Sequence, residues 1–159
     1  MAADPAAPGL GVLGNARVRL SLLLASAVLG VLAYPGVNWH LLIWISLVPV
    51  FSCALVRSPR QALSDGWLYG FAFFSLLLRW LDYTFQTYSA IPWPLTWLPI
   101  LGLAGYCGLY AGLVASAVSW LCRRRGPGFG LGAAPFLWVA GEWLRGHVLS
   151  GFPWGLLGY

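Results

Sequence analysis

Residues 94–121 read PLTWLPILGLAGYCGLYAGLVASAVSWL, without one charged side chain. The hydrocarbon core of a bilayer takes about 20 mostly apolar residues as a helix. This run is long enough to cross it with a tilt, or to begin outside it. Within it Ala104, Gly108, Gly112 and Ser116 recur at strict four-residue spacing, with Gly102 and Gly105 beside them. Such a stripe lets helix backbones come close, which in lipid replaces the hydrophobic drive that packs helices in water. Gly66 and Gly70, in the preceding apolar segment, supply a second stripe. The spacing predicts packing within the chain, with dimerisation as the lesser use.

Outward from that run, four more segments meet or approach span length, at about 18–34, 39–56, 62–80 and 131–149. Of 159 residues, 60% are hydrophobic and 8% charged, with a mean hydropathy of +0.77. A soluble domain carries about 25% charged residues, so the deficit decides the class. The expected fold is an all-α integral membrane protein, a polytopic bundle of about five transmembrane helices. Residues 1–16, rich in Ala, Pro and Gly, read as a disordered tail. Arg17 and Arg19 ahead of Ala25-Ser26-Ala27 also fit a signal peptide. Four later spans favour an uncleaved first helix instead.

The nine basic residues are all arginines, against Asp4, Asp65, Asp82 and Glu142, for a net charge of +5. Arg17 and Arg19 precede the first span, Arg57 and Arg60 follow the second, and Arg123-Arg124-Arg125 separate the fourth from the fifth. If every segment crosses, these seven fall on one side. The positive-inside rule makes that side cytoplasmic, the N-terminus included. The basic charge is thereby explained as a topology signal, and nucleic acid is dropped as a partner. The opposite side receives the turn at 35–38, a loop at 81–93 and the chain's end. Trp39, Trp80, Trp93, Trp97, Trp143 and Trp154 gather there with Tyr34, Tyr83, Tyr88 and Tyr159, whereas Trp67 and Trp120 lie toward the cytoplasmic face. Interfacial belts put tryptophan at both faces. The imbalance points to an outer surface that works on lipid or protein.

Ionisable groups at membrane depth cost about 2.5–3.5 kcal/mol each on insertion scales. Arg79 and Asp82, three apart, can pair on one helical face, and Glu142 and Arg145 repeat the arrangement. Each pair reads either as a neutralised interfacial anchor or as a guanidinium offered to a phospholipid phosphate, which arginine's planar fork suits. Arg79, Glu142, Arg145 and Trp154 are the lipid-binding candidates. His147 points to another side of the helix and reads as a polar boundary residue. Gly151 is a helix stop. Pro153 lacks an N–H and biases Phe152 away from helix. The Gly151-Phe152-Pro153-Trp154 segment is therefore expected to turn along the outer surface, with Trp154 at headgroup depth. Cys53, Cys107 and Cys122 have no metal-ligand spacing and no nearby base, so they read as buried small hydrophobes. No Ser-His-Asp set, metal cluster or Gly-rich phosphate loop can be assembled. No catalytic residue, metal or cofactor is assigned.

The closing stretch, Glu142-Trp143-Leu144-Arg145-Gly146, then Ser150-Gly151-Phe152-Pro153-Trp154 and Gly158-Tyr159, resembles the end of the fifth membrane helix of apolipoprotein N-acyltransferases. Ala33-Tyr34-Pro35 with Trp39, and Ile45-Ser46-Leu47-Val48-Pro49, resemble that family's first turn and second helix. Trp80, Thr87-Tyr88 and Pro92 resemble its third-helix exit and outer loop. The resemblance covers residues 18–159. Ser89 and Ala90 stand where the family usually has glycines, and Arg79 and Asp82 where it more often has uncharged residues.

What the resemblance implies is concrete. Such enzymes sit in the bacterial inner membrane and pass an acyl chain from a phospholipid donor, through a cysteine thioester, to the diacylglyceryl-cysteine of an apolipoprotein acceptor. A periplasmic nitrilase-like domain with a Glu-Lys-Cys triad does the chemistry. This sequence has no lysine, and its cysteines do not match the family's nucleophile. The expectation is a truncated N-terminal membrane portion, inactive alone, with 17–151 as the membrane domain and 152–159 as the start of a periplasmic segment. Two alternatives come from other classes. One is a complete small membrane protein, a transporter subunit or scaffold; the other is the anchor of a different lipid or glycolipid enzyme.

Overall fold

The computed structural model describes residues 10–89 and 91–158. Most of the expected tail, and Ala90 and Tyr159 of the family motifs, lie outside them. The rest of the tail is ordered into a 3-10 turn, Leu10–Gly14, whose Leu13 is buried. Seven α-helices follow among the described residues: α1 Ala16–Leu32, α2 Leu42–Ser46, α3 Val48–Val56, α4 Pro59–Leu77, α5 Trp80–Tyr88, α6 Trp97–Arg125 and α7 Pro127–His147. They make five rods that alternate in direction, two of them broken: α1, α2 with α3, α4 with α5, α6, and α7.

The starts are locally encoded. Asn15 caps α1, its side chain accepting from the Arg17 N–H at 3.0 Å. Ser58 caps α4 in a reciprocal box, in which Ser58 Oγ accepts from the Gln61 N–H and Gln61 Oε1 from the Ser58 N–H. Pro127 opens α7, so that rod begins earlier than the expected 131; proline's fixed φ suits a first helical turn.

The second rod is not continuous. Pro49 lacks the N–H that would bond back one turn, and the chain re-starts at Val48 after a break at Leu47. Ser26 Oγ of α1 donates to the Ser46 carbonyl there, tying the break to its neighbour. The third rod is broken too, its α4 ending at Leu77. Trp80, expected to end the third span, and residues 81–88, expected as loop, form α5. Its Leu81 and Phe85, one turn apart, pack on the core, and Gln86 Nε2 donates to Asp82 Oδ2 at 2.8 Å along its exposed side.

The glycine stripes meet where backbone touches backbone. A Cβ on Gly66 would stand 2.7 Å from the Ala111 carbonyl oxygen, and one on Gly112 2.7 Å from that of Leu63. α4 and α6 therefore fit only with glycine at these crossings. A Cβ on Gly102 or Gly105 would meet nothing within 4 Å, so neither crossing needs glycine there, although the Gly105 carbonyl accepts from Trp67 Nε1 of α4 at 3.1 Å. α6, at 29 residues, is about 43 Å long, more than the ~30 Å hydrocarbon thickness. Among the described residues it is the one helix long and apolar enough to cross a membrane by length and composition.

Candidate functional site

The two ends of the bundle hold its ionisable groups. At one end, α7 stops at His147 rather than running to Gly151. A 3-10 turn follows, and Gly151 then takes the left-handed φ of +77° that reverses the chain. The Phe152 N–H donates back to the Arg145 carbonyl at 2.8 Å. Residues 152–157 thereafter run as a strap across the bundle's end.

Three helical rods hold that strap. Arg145, 2% exposed, points its guanidinium at the strap's backbone: Nη1 donates to the carbonyls of Phe152 at 3.0 Å and Trp154 at 2.6 Å, and Nη2 to that of Gly155 at 3.3 Å. Its carbon centre lies 4.8 Å from the Phe74 ring of α4. Glu142 Oε1 accepts from the Leu157 N–H at 2.8 Å and from Trp138 Nε1 at 3.0 Å. Tyr34, just beyond α1, donates its hydroxyl to the Leu156 carbonyl at 2.9 Å. Trp154 stacks on Trp80 with ring centroids 5.1 Å apart, both half-exposed. Gly155 fits under this arrangement at φ +69°, where a Cβ would strike Leu77.

Neither expected charge pair forms. Glu142 and Arg145 serve the strap, not each other, because a carbonyl-rich segment folds over both. Asp82 turns to Thr96 Oγ1 at 2.5 Å and to Gln86, while Arg79 stands exposed in the turn between α4 and α5, where no described group accepts from its side chain. Arg145 has no surface left for a phosphate in this arrangement. Exposed His147 stacks on Trp143 and hydrogen-bonds its carbonyl at 2.7 Å.

Beneath the strap a crevice lined by Tyr69, Cys107, Tyr110, Glu142 and Arg145 leaves about 30 Å³, the scale of a water rather than of a lipid chain. A wider apolar groove of about 430 Å³ runs between α2–α3 and α7, lined by Trp44, Phe51, Leu55, Leu131 and Trp138. Cys53, Cys107 and Cys122 are all buried free thiols. Among the described residues no three His, Cys, Asp or Glu side chains converge as metal ligands.

At the other end, buried Asp65 of α4 is shared by two arginines that the sequence had shown only as topology signals. Arg19 Nε donates to its Oδ1 at 3.2 Å, and Arg57 Nε stands 3.3 Å from its Oδ2. The second contact is an ion pair without hydrogen-bond alignment. Ser119 Oγ of α6 donates to the Arg57 carbonyl at 2.7 Å, closing the knot across four rods. These partners stand far apart in sequence, Arg19 and Asp65 by 46 positions, so no helical spacing announces them.

Sequence comparison bears on what this arrangement belongs to. The model of the apolipoprotein N-acyltransferase N-terminal domain matches residues 26–159. This chain belongs to that family. An apolipoprotein N-acyltransferase of Chromobacterium violaceum is 37% identical over 150 residues, covering 88% of this chain and 27% of the relative. One from Vibrio cholerae is 32% identical over 148 residues, covering 89% and 28%, and one from Geobacter metallireducens 33% over 137 residues, covering 84% and 25%. The chain thus spans about a quarter of the length of these relatives. The motif that resembles the acyltransferases is, in this chain, the strap together with the two α7 residues that hold it.

Proposed function

We propose that this chain is the N-terminal membrane portion of an apolipoprotein N-acyltransferase, which moves an acyl chain from a phospholipid to the N-terminal diacylglyceryl-cysteine of a bacterial apolipoprotein. The observation that carries this reading is the family match over residues 26–159. The five rods cross the inner membrane, with the seven-arginine end in the cytoplasm and the strap toward the periplasm. The length of α6 supports a crossing, and the gathering of arginines at one end supports that orientation.

The chain carries no lysine, and its thiols are buried among helices. The proposal therefore puts the catalytic glutamate, lysine and cysteine in a further domain on the strap side, and makes this portion its platform. Arg79 and the Trp80–Trp154 stack face the outer headgroups and meet lipid directly. Glu142 and Arg145 act on lipid only through the strap they hold.

Incubated with phospholipid and a diacylglyceryl-cysteine peptide, the purified 159-residue chain is expected to yield no N-acylated peptide; product above background would overturn the proposal. A periplasm-dependent reporter fused after Gly158 should be active and one at Arg124 silent. The reverse pattern would overturn the orientation.

A further inference from the structure

We infer that the arginine end carries a binding site for the phosphate of an anionic phospholipid, centred on Arg57. The inference uses the membrane reading above but not the acyl transfer. It starts from a charge imbalance inside the fold: two guanidiniums, Arg19 and Arg57, share the one carboxylate of Asp65. The side chains of Arg19 and Asp65 are 11% and 7% exposed, so the surplus positive charge is held where water screens it poorly. A second anion beside Arg57 completes an alternating row: Arg19, Asp65, Arg57, phosphate.

The geometry of Arg57 fits that role. Its Nε is buried against Asp65, which fixes the direction of the guanidinium. About a quarter of the side chain, 24%, remains exposed, and no described group accepts a hydrogen bond from its terminal nitrogens. Two donors in a planar fork, oriented from behind by a carboxylate, match a phosphodiester's oxygens. Arg57 is the cap residue of α3, and its backbone is held by Ser119, so the fork sits on a fixed base. Arg145 makes the useful contrast, since its donors are filled by carbonyls.

The occupant follows from charge and place. Arg60 and the Arg123-Arg124-Arg125 run are exposed at the same end, and Asp65 is the one acid there among the described residues. That field favours an anionic headgroup over a zwitterionic one. The collar sets the preference for net negative charge; the Arg57 fork holds the phosphate.

The test is native mass spectrometry of the 159-residue chain with phosphatidylglycerol and phosphatidylcholine of matched acyl chains. The chain is expected to retain phosphatidylglycerol about tenfold better, because the phosphodiester is common to both lipids and the arginine field favours net negative charge. Arg57→Gln is expected to lower phosphatidylglycerol retention about tenfold, the scale of a lost charge-assisted hydrogen bond, while Arg123→Gln/Arg124→Gln/Arg125→Gln narrows the preference and lowers retention less. Equal retention of both lipids by the unaltered chain, unchanged phosphatidylglycerol retention in Arg57→Gln, or a loss in the triple variant as large as in Arg57→Gln overturns the site. Should Arg57→Gln lose helical circular dichroism, Arg57→Lys replaces it, with the charge kept and the fork removed; its phosphatidylglycerol retention should fall by several-fold, and no fall overturns the site. Millimolar inorganic phosphate should not displace the bound lipid. Displacement would mean a free-anion site and would sink the lipid assignment. Vesicle flotation separates the two readings: a chain that floats without lipid preference defeats this inference alone, whereas one that does not float defeats the membrane reading.

Discussion

At one end of the bundle seven arginines face a single buried carboxylate, that of Asp65; at the other, Arg79 and Arg145 are matched in number by Asp82 and Glu142 amid a crowd of aromatic rings. Each end buries arginine, and the fold treats the two differently. Arg145 is surrounded by backbone dipoles that satisfy its donors one by one, so its charge is spent on holding a loop. Arg57 is steadied by a carboxylate it must share, so part of its hydrogen-bonding capacity stays open. A buried arginine therefore says little about phosphate recognition until its donors have been counted.

The largest test removes the one counter-charge that the described residues place at the arginine end. Asp65→Ala leaves the part-buried Arg19 and Arg57 without their carboxylate and should cost up to about 3–5 kcal/mol, read as an earlier midpoint in SDS unfolding followed by helical circular dichroism. A loss below about 1 kcal/mol would mean that water or lipid already screens both guanidiniums, and the contrast between the ends would collapse. Arg145→Met comes next. It keeps bulk but strips three carbonyls of their donor, each charge-assisted bond contributing about 1.5–3 kcal/mol when made. Its loss should be at least about 2 kcal/mol, and protease should cut within 152–157 while the helices stay intact. Smallest is Trp154→Ala, which removes a half-exposed stack contributing about 0.5–1 kcal/mol. It should erase the near-ultraviolet exciton signal of the Trp80–Trp154 pair with little change in the unfolding midpoint. A shift as large as that of Arg145→Met would show that the aromatic contact, not the guanidinium, retains the strap.

Much of this was legible before any coordinates. Apolar length gave the rods, and the small-residue stripes at 66–70 and 104–116 announced which helices touch. Arginine placement announced that 17–19, 57–60 and 123–125 share an end. The breaks were harder. Pro49 is visible in the sequence, yet a long apolar run around it still reads as one span, because hydropathy carries no information about a missing N–H. α5 was hidden for the opposite reason: the stretch 81–88 is polar enough to pass for loop, and its Leu81–Phe85 face is only one turn long. The partners of Glu142 and Arg145 were illegible in principle. Side-chain spacing predicts side-chain pairs, and what they meet is the main chain of a segment that returns only after Gly151 reverses it. Asp65 was missed because its partners come from other rods.

The glycine crossing of α4 and α6 has a mechanical consequence. With carbonyl oxygens where side chains would normally interleave, there is no compliant layer between the two helices. Sliding by one residue would drive alanine or leucine side chains into the opposite main chain, so the pair has a single notch. One partner runs from the Asp65 knot to the turn beside Trp80, and the other from Arg125 to Trp97. The hairpin is thus a stiff lever nearly as long as the bilayer is thick, and a tilt imposed at one of its ends must reappear at the other.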